Sequence, residues 1–168
     1  MDDVQPSFLI LDANVLIDIV LCDKTLLALI SEYVGPIRLA ITIIEEVKEL
    51  SLDNFRELEI LLVEPTLEQV LAAVDKPKPL SFQDWVCLLM AQENNWICVT
   101  NDKPLRRQCE LNNVGVMWEL EMLCRFVEAG GLSASQCKTI ILEIQKNNPR
   151  YITNDIVKRA FHRLKIQH

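Results

Sequence analysis

Five short apolar runs punctuate the first two thirds of the chain, at residues 8–11, 37–41, 58–63, 97–100 and 114–117. Each is short and almost wholly apolar, the pattern of strands buried on both faces of a parallel sheet rather than half-wet hairpin strands. Between them, apolar positions recur every three or four residues at 15–21, 25–33, 43–50, 67–74, 82–94 and 103–111, which predicts helices. Strand and helix in alternation predict right-handed crossovers and an α/β sandwich with helices on both faces of the sheet. The proline-dense Lys76-Pro77-Lys78-Pro79 reads as a surface loop between two helices.

Past Met117 the strands stop. Leu120, Leu123, Cys124 and Val127 keep a helical stripe that Gly130-Gly131 closes. Ser133 with Gln136 has the form of a capping box ahead of Cys137, Ile140, Ile141 and Ile144. A last helix puts Ile156, Val157, Ala160, Phe161 and Leu164 on one face. The expected organisation is therefore one domain over residues 1–168, with an α/β core at 7–118 and a helical extension at 119–168 that caps the core or offers an interaction surface.

Composition narrows the class. With 168 residues, half of them hydrophobic, and only four glycines, the chain has enough apolar material for a full core. No apolar run approaches the ~20 residues of a membrane span, and the acidic start Met1-Asp2-Asp3 argues against a secretory leader. The six cysteines form no C-x-x-C pair and the only two histidines fall in the last seven residues, so a zinc site is not expected. Buried thiols in a reducing cytoplasm are expected instead.

The net charge of −7 argues against a general nucleic-acid coat protein. Basic residues cluster locally at Lys76/Lys78, at Lys103/Arg106/Arg107 and at Lys158/Arg159/Arg163/Lys165, each of which reads first as a solvated face. There is no phosphate loop, no G-x-G-x-x-G and no nucleophile elbow, and the scarcity of histidine disfavours Ser-His-Asp and Cys-His schemes.

The chemistry lies in where the acids fall. Asp12 ends Phe8-Leu9-Ile10-Leu11-Asp12, the Glu45-Glu46 pair follows the second run, Asp84 heads a helix in Ser81-Phe82-Gln83-Asp84, and Asp102 ends Thr100-Asn101-Asp102. Singly, each is an ordinary helix-capping residue, and Ser81 with Asp84 resembles a capping box. Jointly, they sit where strand ends meet helix starts, the edge on which open α/β sheets build their sites. Carboxylates gathered there repel one another unless a divalent cation neutralises them. Helical geometry puts Glu46 beside the apolar stripe and Glu45 on the more solvated side, so Glu46 is preferred as the functional acid and Glu45 stays open.

These motifs, Leu9 to Asp18, Ala40 to Val47, Leu80 to Asp84 and Cys98 to Asp102, resemble those of the PIN-domain ribonucleases, the group that includes VapC-type toxins. The resemblance covers roughly residues 7–118. It implies a three-layer sandwich whose five-stranded parallel sheet has the order 3-2-1-4-5. It further implies a metal-dependent endoribonuclease in which Asp12, Glu46, Asp84 and Asp102 are catalytic, with Asp12, Asp84 and Asp102 ligating Mg²⁺ or Mn²⁺. Asn14 and Thr100 are carried over as supports of those ligands, and Asn14 is expected to add a hydrogen bond to the turn after Asp12. Lys103, Arg106 and Arg107 are expected to grip the RNA backbone.

The C-terminal helices look similar to those of a PIN subgroup usually described only as nucleic-acid-binding. The doubled glutamate and the long extension depart from the VapC-type pattern. A small antitoxin partner follows from the resemblance alone, whereas homodimerisation is an expectation from the apolar helices. The rival expectation is a catalytically silent PIN-fold scaffold acting through those helices. A haloacid-dehalogenase-like phosphatase is disfavoured, because that chemistry wants an aspartate where this chain has Asn14.

Overall fold

The computed structural model describes residues 6–167, so the acidic start Met1-Asp2-Asp3 lies outside the described residues. Five parallel strands, β1 (Leu9–Leu11), β2 (Ile37–Ala40), β3 (Leu61–Val63), β4 (Ile97–Val99) and β5 (Val116–Met117), form one sheet of order β3-β2-β1-β4-β5. The order that the resemblance implies is the order observed. Leu9 pairs with Ile37 on one side and with Ile97 on the other, so β1 is the central strand.

Successive side chains on these strands serve opposite cores, as the two-residue period of a strand requires. Leu9, Leu11, Leu39, Val99 and Met117 join the larger core, while Ile10, Ala40, Cys98 and Val116 face the smaller one. Helices α1 (Ala13–Asp23) and α2 (Leu26–Tyr33) pack on the larger core, with the extension helices α7 (Glu119–Glu128), α8 (Ala134–Asn147) and α9 (Asn154–Arg163). On the other face, α4 (Leu67–Val74), α5 (Phe82–Asn94) and α6 (Lys103–Leu111) cover the smaller core. Because α8 packs on α1 and α9 on α7, the extension is built onto the same core that holds β1.

One stretch departs from the expected pattern. The helix expected at 43–50 does not form; Ile41–Glu45 makes a 3₁₀ turn, and Glu46 ends it. Three isoleucines and a threonine crowd χ1 against the preceding turn, which disfavours a longer α-helix. The apolar positions are still used, since Val47 is fully buried and Leu50 nearly so. The expected strand at 58–63 shrinks to Leu61–Val63, and a short helix α3 (Leu52–Glu57) precedes it. Ser51 and Asn54 cap α3 reciprocally, a capping box written with Asn in place of the usual Glu or Gln. The other strands also lose a terminal residue or two, at Phe8, Ile41, Thr100 and Val114-Gly115.

The capping box expected at Ser133 and Gln136 is present, with Ser133 Oγ accepting from the Gln136 N–H at 3.1 Å. Gly35, between α2 and β2, is held by close approach: a Cβ there would stand 2.3 Å from the carbonyl oxygen of Ser7. Backbone on the far side cannot rotate away as a side chain does. Gly35→Ala is therefore expected to cost about 1–3 kcal/mol, the usual range for overpacking. Urea unfolding checks this, and an unchanged midpoint would remove the steric account.

Candidate metal centre

Asp12 follows β1 directly and caps α1, its Oδ1 accepting from the Val15 N–H at 2.9 Å. Its Oδ2 accepts from the Thr100 hydroxyl, which comes from the end of the neighbouring strand β4. The same hydroxyl accepts from the Asp102 N–H at 3.0 Å. Thr100, fully buried, thereby fixes Asp12 and the head of α6 with one oxygen. The strand order reverses between β1 and β4, so this junction is the topological switch point at which open α/β sheets place their crevice.

Asp84 reaches the same crevice from the head of α5. It keeps the capping role as well: its Oδ2 accepts from the Ser81 N–H at 3.0 Å, and Ser81 Oγ accepts from the Asp84 N–H at 3.1 Å. Glu46 arrives from the end of the 3₁₀ turn after β2. Asp12, Glu46, Asp84 and Asp102 all line one cavity of about 240 Å³, together with Asn14, Gln83 and Cys87. Glu45 does not line it. Glu46 gains its place through the 3₁₀ turn and not through the α-helical face that the sequence suggested.

The carboxylates feel one another. Burial pushes Asp12 up to about 7; the Thr100 and Val15 hydrogen bonds oppose this, and Asp84 and Asp102 add to it by like-charge repulsion. Burial raises Glu46 and Asp102 too, and in both the second cause is the charge of Asp84. Asp84 is thus the electrostatic hub. A set of oxygen donors whose negative charges repel one another suits a hard divalent cation. Gln83 adds to the fit, because its buried amide oxygen has no donor among the described residues.

Convergence stops at the cavity. Among the described residues, no three His, Cys, Asp or Glu side chains are placed to share one ion as they stand. Both oxygens of Asp12 and one of Asp84 are already accepting hydrogen bonds. The donor chemistry fits Mg²⁺ or Mn²⁺, while the arrangement is that of a shared crevice and not of a closed coordination sphere.

The remaining expected residues separate. Asn14 is exposed on the cavity rim, and the hydrogen bond expected of it in the turn after Asp12 is not found among the described residues. Lys103 is exposed and lines a second, larger groove that shares Asp102 with the cavity. Arg106 is half-buried, its guanidinium stacked 3.9 Å from the centroid of Trp118 and 3.7 Å from Glu110, with Nη1 unpartnered among the described residues. Its amphipathic stem and planar head serve as packing there. Arg107 is exposed and lines neither hollow.

Four buried polar residues are not singled out by the motifs: Asp18, Gln69, Asn101 and Glu119. Glu119 sits at the head of α7 just after β5, the same kind of junction as Asp12 and Asp102, and that spacing is a signal that could have found it. Asp18 stands alone among the apolar residues of α1, which is a signal as well.

All six cysteines are free, and five of them are buried. No helix among the described residues is long and apolar enough to cross a membrane. The order β3-β2-β1-β4-β5 is compatible with PIN-like and with other doubly wound α/β folds, so it carries the architecture and not the family. No family model matches the chain, and no curated protein and no solved structure matches it either.

Proposed function

We propose that the chain is a metal-dependent endoribonuclease. The observation that carries this reading is that Asp12, Glu46, Asp84 and Asp102, from four separate segments, line one crevice at the switch point of the sheet. Asp12, Asp84 and Asp102 would hold the ion. A bound Mg²⁺ or Mn²⁺ supplies the positive charge that lets the cluster ionise, polarises the scissile phosphate and acidifies the attacking water.

The chain's own residues do the rest. Thr100 and the Val15 N–H hold Asp12 in one orientation, and Ser81 holds Asp84. Glu46 is solvent-exposed on the cavity wall and its carboxyl is raised by burial and by Asp84, so it suits the proton taken from the attacking water. The water oxygen bonds to phosphorus as its proton passes to Glu46, and the bond to the 3′ oxygen breaks with that oxygen taking a proton from solvent, leaving a 5′-phosphate and a 3′-hydroxyl.

The test is cleavage of labelled single-stranded RNA in Mg²⁺, in Mn²⁺ and in EDTA, by wild type and by Asp84→Asn. Cleavage is expected only with metal. The variant is expected to lose at least about 100-fold, because several kcal/mol of transition-state stabilisation run through the cluster. Equal rates in EDTA, or equal rates for both proteins, would remove the mechanism.

The open placement of the acids favours one second reading, a PIN-like scaffold without turnover that acts through α7–α9. Calorimetric titration separates the two, since a scaffold binds no Mn²⁺ that Asp84→Asn abolishes.

A further inference from the structure

A groove of about 1010 Å³ runs along the C-terminal extension, walled by the start of α6, by α7 and by α9, and it includes Asp102 of the carboxylate cavity in its lining. The two hollows therefore share one carboxylate of the cluster. The groove's charge contrasts with that of the whole chain, whose net charge is −7. Of the ionic side chains along it, Arg163 is held by Glu128 at 2.7 Å, and Glu121 is held by Arg125 at 2.9 Å. That leaves Lys103, Arg150 and Arg159, exposed and without an ion pair among the described residues, against Asp155 and Asp102.

Two aromatic rings accompany those cations. Tyr151 is 36 % exposed, with the Arg150 guanidinium 5.7 Å from its ring centroid. Trp118 is half-buried and braced by Arg106. Cations spaced along a trough with aromatic faces between them are the physical means of holding unpaired nucleotides. The cations follow the phosphates, and each ring stacks on a base whatever its identity. A paired base keeps its faces inside the duplex and cannot use such rings.

We propose that this groove is the track for single-stranded RNA leading into the carboxylate cavity, with Arg150 and Arg159 on its phosphates and Tyr151 and Trp118 stacking on its bases. The proposal rests on the nuclease reading for what happens at the end of the track, but the binding itself needs no metal and no turnover. The C-terminal extension then confers substrate affinity that the α/β core lacks.

Fluorescence anisotropy of a fluorescein-labelled single-stranded RNA, titrated with full-length protein in EDTA, tests it apart from cleavage. Tyr151→Ala is expected to weaken binding at least about 5-fold, the lower end of the range for one stacked base. Arg150→Glu with Arg159→Glu is expected to weaken it by more than about 10-fold at low salt and to flatten the salt dependence by about 0.7 for each phosphate no longer neutralised. The same sequence annealed to its complement is expected to bind more weakly than the single strand. All three positions are exposed, and thermal melting confirms that each variant is folded.

Affinity unchanged in these variants overturns the track and leaves the groove to an acidic protein partner. Duplex binding as tight as single-strand binding overturns it too. A protein that binds through the groove and never cleaves sinks only the nuclease reading, whereas one that cleaves and is indifferent to Arg150, Arg159 and Tyr151 sinks only the track.

Discussion

Asp12→Asn is expected to melt several degrees above wild type in EDTA at pH 8, and to lose the stabilisation that Mn²⁺ gives wild type. The reason is that Asp12 is 5 % exposed and its carboxyl is pushed up to about 7, chiefly by burial. A group whose folded pKa is raised contributes its full stability below the unfolded value, here 3.8, and loses it as pH rises through the folded value. Above pH 7 the native state must therefore carry a buried charge beside Asp84 and Asp102.

A carboxyl raised that far corresponds to roughly 4 kcal/mol, an upper bound on the loss. Asparagine keeps the N-cap, which it fills as well as aspartate does, and it cannot ionise. It does spoil the bond from Thr100, at about 1 kcal/mol, so a net gain of about 2 kcal/mol is expected. For a domain of this size that is about 4–8 °C. Melting temperatures from pH 4 to pH 8.5, in EDTA and in Mn²⁺, decide it. Wild type should fall more steeply with pH in EDTA than the variant, which keeps only the loss from the other raised carboxyls, and wild type alone should recover in Mn²⁺. A wild-type profile that is flat in EDTA would falsify the buried-charge account.

The same residue shows why the architecture is legible in the sequence and the site only in part. Leu9-Ile10-Leu11 followed by Asp12 announces a buried strand and a helix start together, because both consequences are local. The period of apolar positions needs no knowledge of the fold, and every strand it predicts is present. Residues 41–57 depart from expectation where local signals conflict: isoleucines that suit either a strand or a turn, then an Asn that caps α3 from a position usually given to Glu or Gln.

Site geometry depends on distant segments, and there the sequence is mute. Nothing local says that Arg106 stacks on Trp118, or that Lys103 shares one groove with Arg150 and Arg159. Read alone, Arg159 and Arg163 are a wet helical face. In the fold, Arg163 is tied to Glu128 while Arg159 stays unpaired among the described residues, so two neighbours on one helix have different fates. Asp84 has two readings, as cap and as site residue. Its side chain meets both, capping α5 and lining the cavity at once.

Glu119→Ala is expected to be the most damaging single change to stability, and Glu119→Gln to be nearly silent. Glu119 is wholly buried, and burial, with the charge of Asp18 next, pushes its carboxyl well above the usual carboxylate range. Burial therefore favours its protonated, neutral form. One oxygen accepts from Asn101 Nδ2 at 2.6 Å, and the Glu119 N–H donates to Asn101 Oδ1 at 3.3 Å. The other oxygen has no donor aimed at it. As a hydroxyl it would need none, because Asp18, which accepts from Asn148 Nδ2 at 2.9 Å, is the neighbouring carboxylate able to take its proton.

One proton thus joins the loop before Asp102, helix α1 and the end of α8. Alanine removes the donor to Asp18 and the acceptor for Asn101 and leaves a void between them. Breaking a buried network by deleting one member costs about 3–5 kcal/mol. Glutamine replaces the hydroxyl with an N–H and keeps the accepting oxygen, so about 1 kcal/mol or less is expected. It also removes a titration: wild type loses stability as pH rises above the ordinary glutamate range toward the raised value, and Glu119→Gln does not lose that component.

Because Asn101 adjoins Asp102, the alanine variant should also bind Mn²⁺ more weakly than its melting temperature alone accounts for. Urea unfolding of the three proteins at two pH values, with Mn²⁺ titrations of each, checks every step. If glutamine proves as harmful as alanine, the proton is not where the hydrogen-bond pattern puts it, and the link between the extension and the carboxylate cavity goes with it.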